Sequence, residues 1–126
     1  LVAQGRYARW EDFQAMLDAL AARDYDFVLS VNASTGLCRV YGRDAPAGAV
    51  PYRTVAAQYL GSQAPSRKRS AFRQAARLKT ALERLETEEI YEYTGSLGTD
   101  APREKRMRWS WLDQESELLL VTLEDA

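Results

Sequence analysis

The segment Leu118-Leu119-Leu120-Val121-Thr122-Leu123 decides the fold that this sequence predicts. Side chains in a strand alternate between two faces, so this segment places apolar side chains on both. A strand of that kind is normally covered on both sides, as the central strands of a sheet are. We therefore expect the closing strand to lie in the middle of a sheet, beside the first strand of the chain.

Four earlier segments have strand character, and short polar turns join them in pairs. Such connections favour antiparallel neighbours, and the first turn ends in Gly36, which tolerates a positive φ. Arg39 and Glu92 stand among apolar residues in the second and third strands, which is typical of edge strands. We expect an antiparallel sheet of five strands in the order 2-1-5-4-3. The strands are predicted at 25–31, 37–42, 89–97, 103–112 and 118–123.

Helices are predicted in two parts of the chain. Apolar side chains recur every three or four residues over 9–22, which is the spacing of one helical face. After a Pro- and Gly-containing loop at 42–51, a short helix is predicted over 54–60 and a long helix over 67–85. Helices grouped between two sets of strands indicate an α+β fold with those helices on one face of the sheet.

Length and composition restrict the class of protein. A chain of 126 residues with a net charge of −1 has the size of one domain, which we divide into an N-terminal amphipathic flanking helix at 1–24 and a domain at 25–126. No apolar run approaches the roughly 20 residues that a membrane span needs. Cys38 is the sole cysteine, which excludes an internal disulfide and fits a cytoplasmic location. Because the chain begins at Leu1 rather than at a methionine, we expect it to be a segment of a longer protein.

Two stretches resemble a known family. Residues 25–36 are similar to the opening hairpin of PAS domains in bacterial sensor proteins. Residues 105–113, followed by 119–125, resemble the closing strands of PAS domains attached to GGDEF-type cyclases. In that family the last strand commonly ends in Asp-Ile-Thr and leads into the output module. Here Glu124 and Asp125 stand at the matching place, and only the aspartate agrees with the motif.

The resemblance implies a PAS-like sensory and dimerisation module without catalytic activity. Such a module passes a change induced by a ligand or partner to a C-terminal output domain of a bacterial signalling protein. The leading helix would make homodimer contacts, or it would fold back over its own sheet. The candidate dimer residues are Trp10, Phe13, Leu17 and Leu20. The sequence leaves open which strand face looks inward, so the candidates for a ligand pocket are a mixed set: Phe27, Leu29, Val40, Tyr59, Phe72, Leu78, Trp109 and Leu119.

Several kinds of chemistry are missing from the sequence. The chain contains no histidine, which removes the commonest general base and the commonest ligand of metals and haem. We therefore expect no enzyme activity, no metal site and no haem. A photoactive flavin is not expected either, because the Asn-Cys-Arg-Phe-Leu-Gln helix of that PAS type has only Leu37-Cys38-Arg39 to match it, in a predicted strand. The sequence identifies no other cofactor.

Two alternatives belong to different functional classes. One is a small cone-shaped α+β fold that binds or acts on an apolar small molecule, and a last strand at the sheet edge would favour it. Its candidate residues are Tyr91, Glu92 and Tyr93. The other is nucleic-acid binding, which the net charge of −1 disfavours. Its candidate residues are Arg103, Lys105, Arg106 and Arg108.

Overall fold

A computed structural model describes five stretches of the chain: residues 15–21, 25–42, 48–63, 74–97 and 103–126. At residues 59–63 and 97 it describes the backbone alone. We number the elements in chain order. They are α1 (15–21), β1 (Tyr25–Asn32), β2 (Leu37–Tyr41), β3 (Val50–Pro51), α2 (Tyr52–Gln63), α3 (Leu78–Leu85), β4 (Ile90–Leu97), β5 (Arg103–Asp113) and β6 (Leu118–Asp125).

The strands form one open antiparallel sheet in the order β3-β2-β1-β6-β5-β4. The closing strand β6 pairs with β1, where Val121 lies opposite Leu29, and with β5, where Val121 lies opposite Trp109. The prediction of a central closing strand is confirmed by these two pairings. The predicted set of five strands in the order 2-1-5-4-3 is not confirmed in that form, because the sheet has six strands.

The sixth strand, β3, lies in the stretch that was predicted to be a loop throughout. Val50 and Pro51 pair with the first two residues of β2, so β3 rather than β2 forms this end of the sheet. A strand of two residues is too short to show a period of two. Proline is tolerated there because an edge strand need not donate a hydrogen bond on its outer side. The loop prediction is therefore wrong at its last two residues.

Two predicted helices differ in extent from those observed. The short helix predicted over 54–60 is observed as the longer helix α2, Tyr52–Gln63. It begins directly after β3, where its first amide group donates a hydrogen bond to the β1–β2 turn. The long helix predicted over 67–85 is interrupted in its described part. Ala76 lies in a turn and Arg77 is extended, with φ −71° and ψ 138°, so α3 begins only at Leu78. Nothing local marks this break, since alanine, arginine and leucine are all good helix formers.

Different helices cover the two faces of the sheet. α2 and α3 pack on the face that carries Leu29 and Trp109, both fully buried. α1 lies on the opposite face, where Leu17 packs with Val28 and Tyr41. Burial of each such large apolar side chain stabilises the fold by about 1.5–3 kcal/mol. The inward face that the sequence left open is thus the odd-numbered face of β1, β5 and β6.

Candidate ligand-binding site

A cleft of about 780 Å³ lies beside the first turns of α2. The described residues that line it are 35–37, 51–53, 56–57 and 76–78. It therefore lies between the β1–β2 turn, β3, α2 and the break before α3. Its volume falls within the range of about 300–1,000 Å³ that is usual for small-molecule sites.

Hydrogen bonds fix the β1–β2 turn at one wall of the cleft. The Asn32 side-chain oxygen accepts bonds from the backbone amides of Ser34 at 2.9 Å and Thr35 at 3.0 Å. Gly36 has a positive φ of 74°, which costs little for glycine. Its carbonyl accepts a bond of 2.9 Å from the amide of Tyr52, which attaches the start of α2 to the turn.

Two tyrosine hydroxyls occupy the helix break at the opposite wall. Tyr52 donates a hydrogen bond of 2.6 Å to the carbonyl oxygen of Ala76, and Tyr91 donates one of 2.9 Å to that of Ala75. Both tyrosines are buried. Desolvation raises the pKa of both hydroxyls, so each remains a neutral donor at physiological pH. These two hydrogen bonds from distant parts of the chain satisfy two backbone carbonyls beside the break.

Cys38 is buried close to Tyr52 and is the free cysteine of the chain. Burial raises the pKa of its thiol to about 11. A thiol that stays protonated at neutral pH is a poor nucleophile and a poor metal ligand. Cys38 is therefore a small core residue.

Arginine supplies the charged groups of the cleft. Arg53 lies in the first turn of α2 and Arg77 in the break before α3, and both side chains are exposed. No aspartate or glutamate stands among the described lining residues. The cleft therefore combines apolar walls with positive charge.

The predicted pocket residues divide between the core and the cleft. Six of them have described side chains, and of these only Leu78 lines the cleft, while Val40 is half-buried against the core. Phe72 and the side chain of Tyr59 lie outside the described residues. The others are packed in the buried core on the helix-facing side of the sheet: Phe27, Leu29, Trp109 and Leu119.

Trp109 is the largest fully buried side chain. Its indole Nε1 is buried, and no described residue accepts a hydrogen bond from it. Its ring packs edge-on against the ring of Tyr52, with centroids 5.1 Å apart. The cleft and the centre of the core are therefore separated by one aromatic contact.

The candidate dimer residues fall partly in α1. Leu17 is only 3% exposed because it packs on the outer face of the sheet, whereas Leu20 is 43% exposed. The Asp18 carboxylate accepts a hydrogen bond of 3.2 Å from the amide of Gly42, which also ties α1 to the end of β2. Of the two arrangements that the sequence left open, α1 covers its own sheet. Trp10 and Phe13 lie outside the described residues.

The candidate output residues take part in ion pairs between neighbouring strands. Lys105 of β5 lies 2.8 Å from a carboxylate oxygen of Asp26 and also pairs with Asp125. The hydrogen bond to Asp125, followed by that to Asp26, raises the pKa of Lys105. The bond between Lys105 and Asp125 also lowers the pKa of Asp125. Glu124 pairs with Arg106 at 3.8 Å and with Arg108 at 3.5 Å.

The candidates of the two alternative functions do not line the cleft. The Tyr91 hydroxyl is bonded to a backbone carbonyl, and Tyr93 packs against the core. Glu92 is exposed and pairs with Arg108. Arg103, Lys105 and Arg106 likewise pair with carboxylates, so this part of the sheet is balanced in charge.

No group of three or more His, Cys, Asp or Glu side chains in the described stretches is arranged to hold a metal ion. Within those same stretches, every helix is too short or too polar to cross a membrane.

Comparisons with known proteins add no family to these observations. The chain matches no protein-family model and no curated protein. The fold defines an α+β protein with an open antiparallel sheet. A functional assignment therefore depends on the cleft and on its connection to the sheet.

Proposed function

We propose that the chain is a PAS-like, non-catalytic sensory module of a larger bacterial signal-transduction protein. In this role it binds a ligand or partner and passes the resulting change to a C-terminal output domain. The observation that carries the proposal is the cleft of about 780 Å³ whose lining residue Tyr52 contacts Trp109 of β5 in the buried core.

The connection from the cleft to the closing strand is short. Tyr52 contacts Trp109 of β5, and Trp109 lies opposite Val121 of β6. A ligand that binds one arrangement of Tyr52 more tightly than another shifts the population by that difference in affinity. The candidate output residues Glu124 and Asp125 lie at the end of the same strand, β6.

The absence of catalysis is supported by the chemistry of the cleft. Among its described lining residues, the titratable groups are two arginines and Tyr52. Arginine does not give up its proton in proteins, and burial raises the pKa of Tyr52. None of these groups is suited to act as a general base near neutral pH.

The cone-shaped alternative receives less support. A last strand at the sheet edge would favour this alternative, whereas β6 has a neighbouring strand on each side. It also needs a tyrosine or carboxylate in a pocket. Its three candidates lie outside the cleft, and the hydroxyl of Tyr52, which does line the cleft, donates to the Ala76 carbonyl. A sensory role uses the observed cleft without requiring such a group.

The proposal includes a homodimer whose contacts are made by the leading helix. Met16 and Leu20 are 53% and 43% exposed on α1, four residues apart and therefore neighbours on its surface. Contiguous exposed apolar side chains are typical of interaction surfaces. The double variant Trp10→Ala/Phe13→Ala should reduce self-association in analytical ultracentrifugation. Unchanged sedimentation of that variant would remove the dimer from the proposal.

Two observations test the sensory role itself. Native mass spectrometry of the purified protein should detect a retained small molecule as added mass. The coding sequence that follows Ala126 should encode an output domain such as a cyclase, a kinase or a DNA-binding module. A stop codon directly after Ala126 would contradict the proposed output function, whatever the cleft binds.

A further inference from the structure

We infer that the cleft binds an amphipathic anion, a small molecule with an apolar body and a single carboxylate. The inference rests on the sensory function proposed above and names the class of its ligand. Three properties of the cleft carry it: two guanidinium groups without a described counter-charge, walls of small and apolar side chains, and a volume of about 780 Å³.

The first property is positive charge without a described acidic partner. Arg53 and Arg77 come from different elements and line the same cleft. Neither forms an ion pair with any described carboxylate. The first turn of α2 contains no acidic residue that would neutralise Arg53.

Four other arginines, unlike Arg53 and Arg77, form ion pairs within the described residues. Arg84, Arg103, Arg106 and Arg108 each lie within 4.0 Å of a carboxylate oxygen. Guanidinium groups bind carboxylates well because their N–H groups match both carboxylate oxygens. Arg53 and Arg77 therefore offer, at the cleft, the interaction that these four arginines make within the chain.

The second property is the apolar character of the walls. Ala56 and Ala57 of α2 bring only methyl groups to the cleft, and Pro51 and Leu78 add larger apolar surface. Leu37 is 42% exposed, although it lies at the start of a paired strand. An apolar ligand body would cover this surface and remove it from water.

The positive charge and the apolar walls together disfavour three other classes of ligand. A small hydrophilic anion would leave the apolar walls in water, and a neutral hydrocarbon would not use the arginines. A cation would meet like charge. An amphipathic carboxylate satisfies both parts of the cleft.

Four probes separate these classes: octanoate, octan-1-ol, octylammonium and acetate. We expect octanoate to bind in isothermal titration calorimetry, and octan-1-ol to bind about ten-fold more weakly, which corresponds to about 1.4 kcal/mol. Octylammonium and acetate should give no measurable binding. Equal affinity for octanoate and octylammonium, or for octanoate and acetate, would overturn the inference.

Charge variants locate the binding site. Arg53→Gln and Arg77→Gln should each weaken octanoate binding about three- to ten-fold, while octan-1-ol binding stays unchanged. The control is Lys79→Gln, which removes an exposed positive charge of α3 that does not line the cleft. If Lys79→Gln weakens octanoate binding as much as the arginine variants do, only overall charge is involved and the site assignment is wrong.

A size variant tests the walls independently of charge. Ala57 is exposed on α2, so Ala57→Trp should fill the cleft without disturbing the core and abolish binding of both octanoate and octan-1-ol. The control is Thr54→Trp, an exposed position of the same helix outside the cleft. Circular dichroism establishes that each variant is folded. Full octanoate binding by folded Ala57→Trp would contradict the inference.

The inference and the sensory function can fail separately. A retained neutral or cationic molecule in native mass spectrometry, together with no binding of octanoate, would overturn the ligand class alone. Octanoate binding in the cleft, together with a stop codon after Ala126, would overturn the sensory function and leave the ligand class in place.

Discussion

The ring of Tyr52 meets the ring of Trp109 edge-on, with their centroids 5.1 Å apart and their planes at 76°. Edge-to-face pairs of this kind are favourable because the positive ring edge faces the negative ring surface. Tyr52 lines the cleft, whereas Trp109 is fully buried opposite Val121 of β6. The pair therefore connects the candidate binding site with the central strand of the sheet.

The hydroxyl of Tyr52 should stabilise the fold through its hydrogen bond to the Ala76 carbonyl. Tyr52→Phe keeps the ring contact but leaves that carbonyl without this donor, so we expect urea unfolding to show a loss of about 1–2 kcal/mol. Tyr25→Phe is the control, since no described residue hydrogen-bonds with the hydroxyl of half-buried Tyr25. Equal stability of Tyr52→Phe and the unmodified protein would contradict the role of this bond.

Leu17 should attach α1 to the outer face of the sheet. Leu17→Ala removes a side chain that is 3% exposed against Val28 and Tyr41, and should lower the free energy of unfolding by about 2–4 kcal/mol. Leu20→Ala, in the same helix but at a 43% exposed position, should change it by less than about 0.5 kcal/mol. Similar losses for both variants would show that α1 does not present Leu17 to the sheet.

Lys105 should hold the end of β6 through Asp125, and it also pairs with Asp26 of β1. Lys105→Met should lower the free energy of unfolding by up to about 1 kcal/mol at low salt, and by less at high salt. Arg103→Met should have almost no effect, because Arg103 is 73% exposed and its nitrogen lies 3.9 Å from Asp125. The amide of Ala126, bonded to Glu104, should exchange hydrogen faster in the lysine variant only.

Alkaline pH should destabilise the protein, partly through Cys38. Burial raises the pKa of its thiol from 9.0 to about 11, so the unfolded chain loses this proton at lower pH than the folded chain. The free energy of unfolding is thus unaffected by this group below about pH 9 and falls by roughly 2 kcal/mol as the pH rises to about 11.

Urea unfolding of Cys38→Ala measures this contribution. The variant should show a shallower fall above about pH 9, although not a flat one, because burial raises the pKa of Tyr52 and Tyr91 in the same direction. Parallel pH profiles for the variant and the unmodified protein would contradict the assignment to Cys38.

The central part of the fold could be predicted from sequence because its signal is local. The apolar residues on both faces of β6 predicted its position between β1 and another strand, and the turn at 32–36 predicted the first hairpin. β3 could not be predicted, because two residues show no alternation. The break at Arg77 could not be predicted either, because the tyrosine hydroxyls that bond beside it come from distant parts of the chain.

The candidate site was largely beyond sequence reasoning. The pocket prediction was made from large apolar residues such as Leu29. Because these residues are strongly hydrophobic, they are buried in the close-packed core instead. The cleft is built from alanines and arginines, which in sequence look like an ordinary solvated helix face. Only the packing of α2 against the β1–β2 turn and the helix break brings Arg53 and Arg77 to one place.

Hydrogen exchange of β6 tests most directly whether the cleft communicates with the closing strand. Mass spectrometry should follow backbone amide exchange in peptides that cover residues 50–57 and 118–126, with and without saturating octanoate. We predict slower exchange in both peptides, because the Tyr52–Trp109 contact connects the cleft to β6. Slower exchange at 50–57 with no change at 118–126 would contradict transmission to the closing strand.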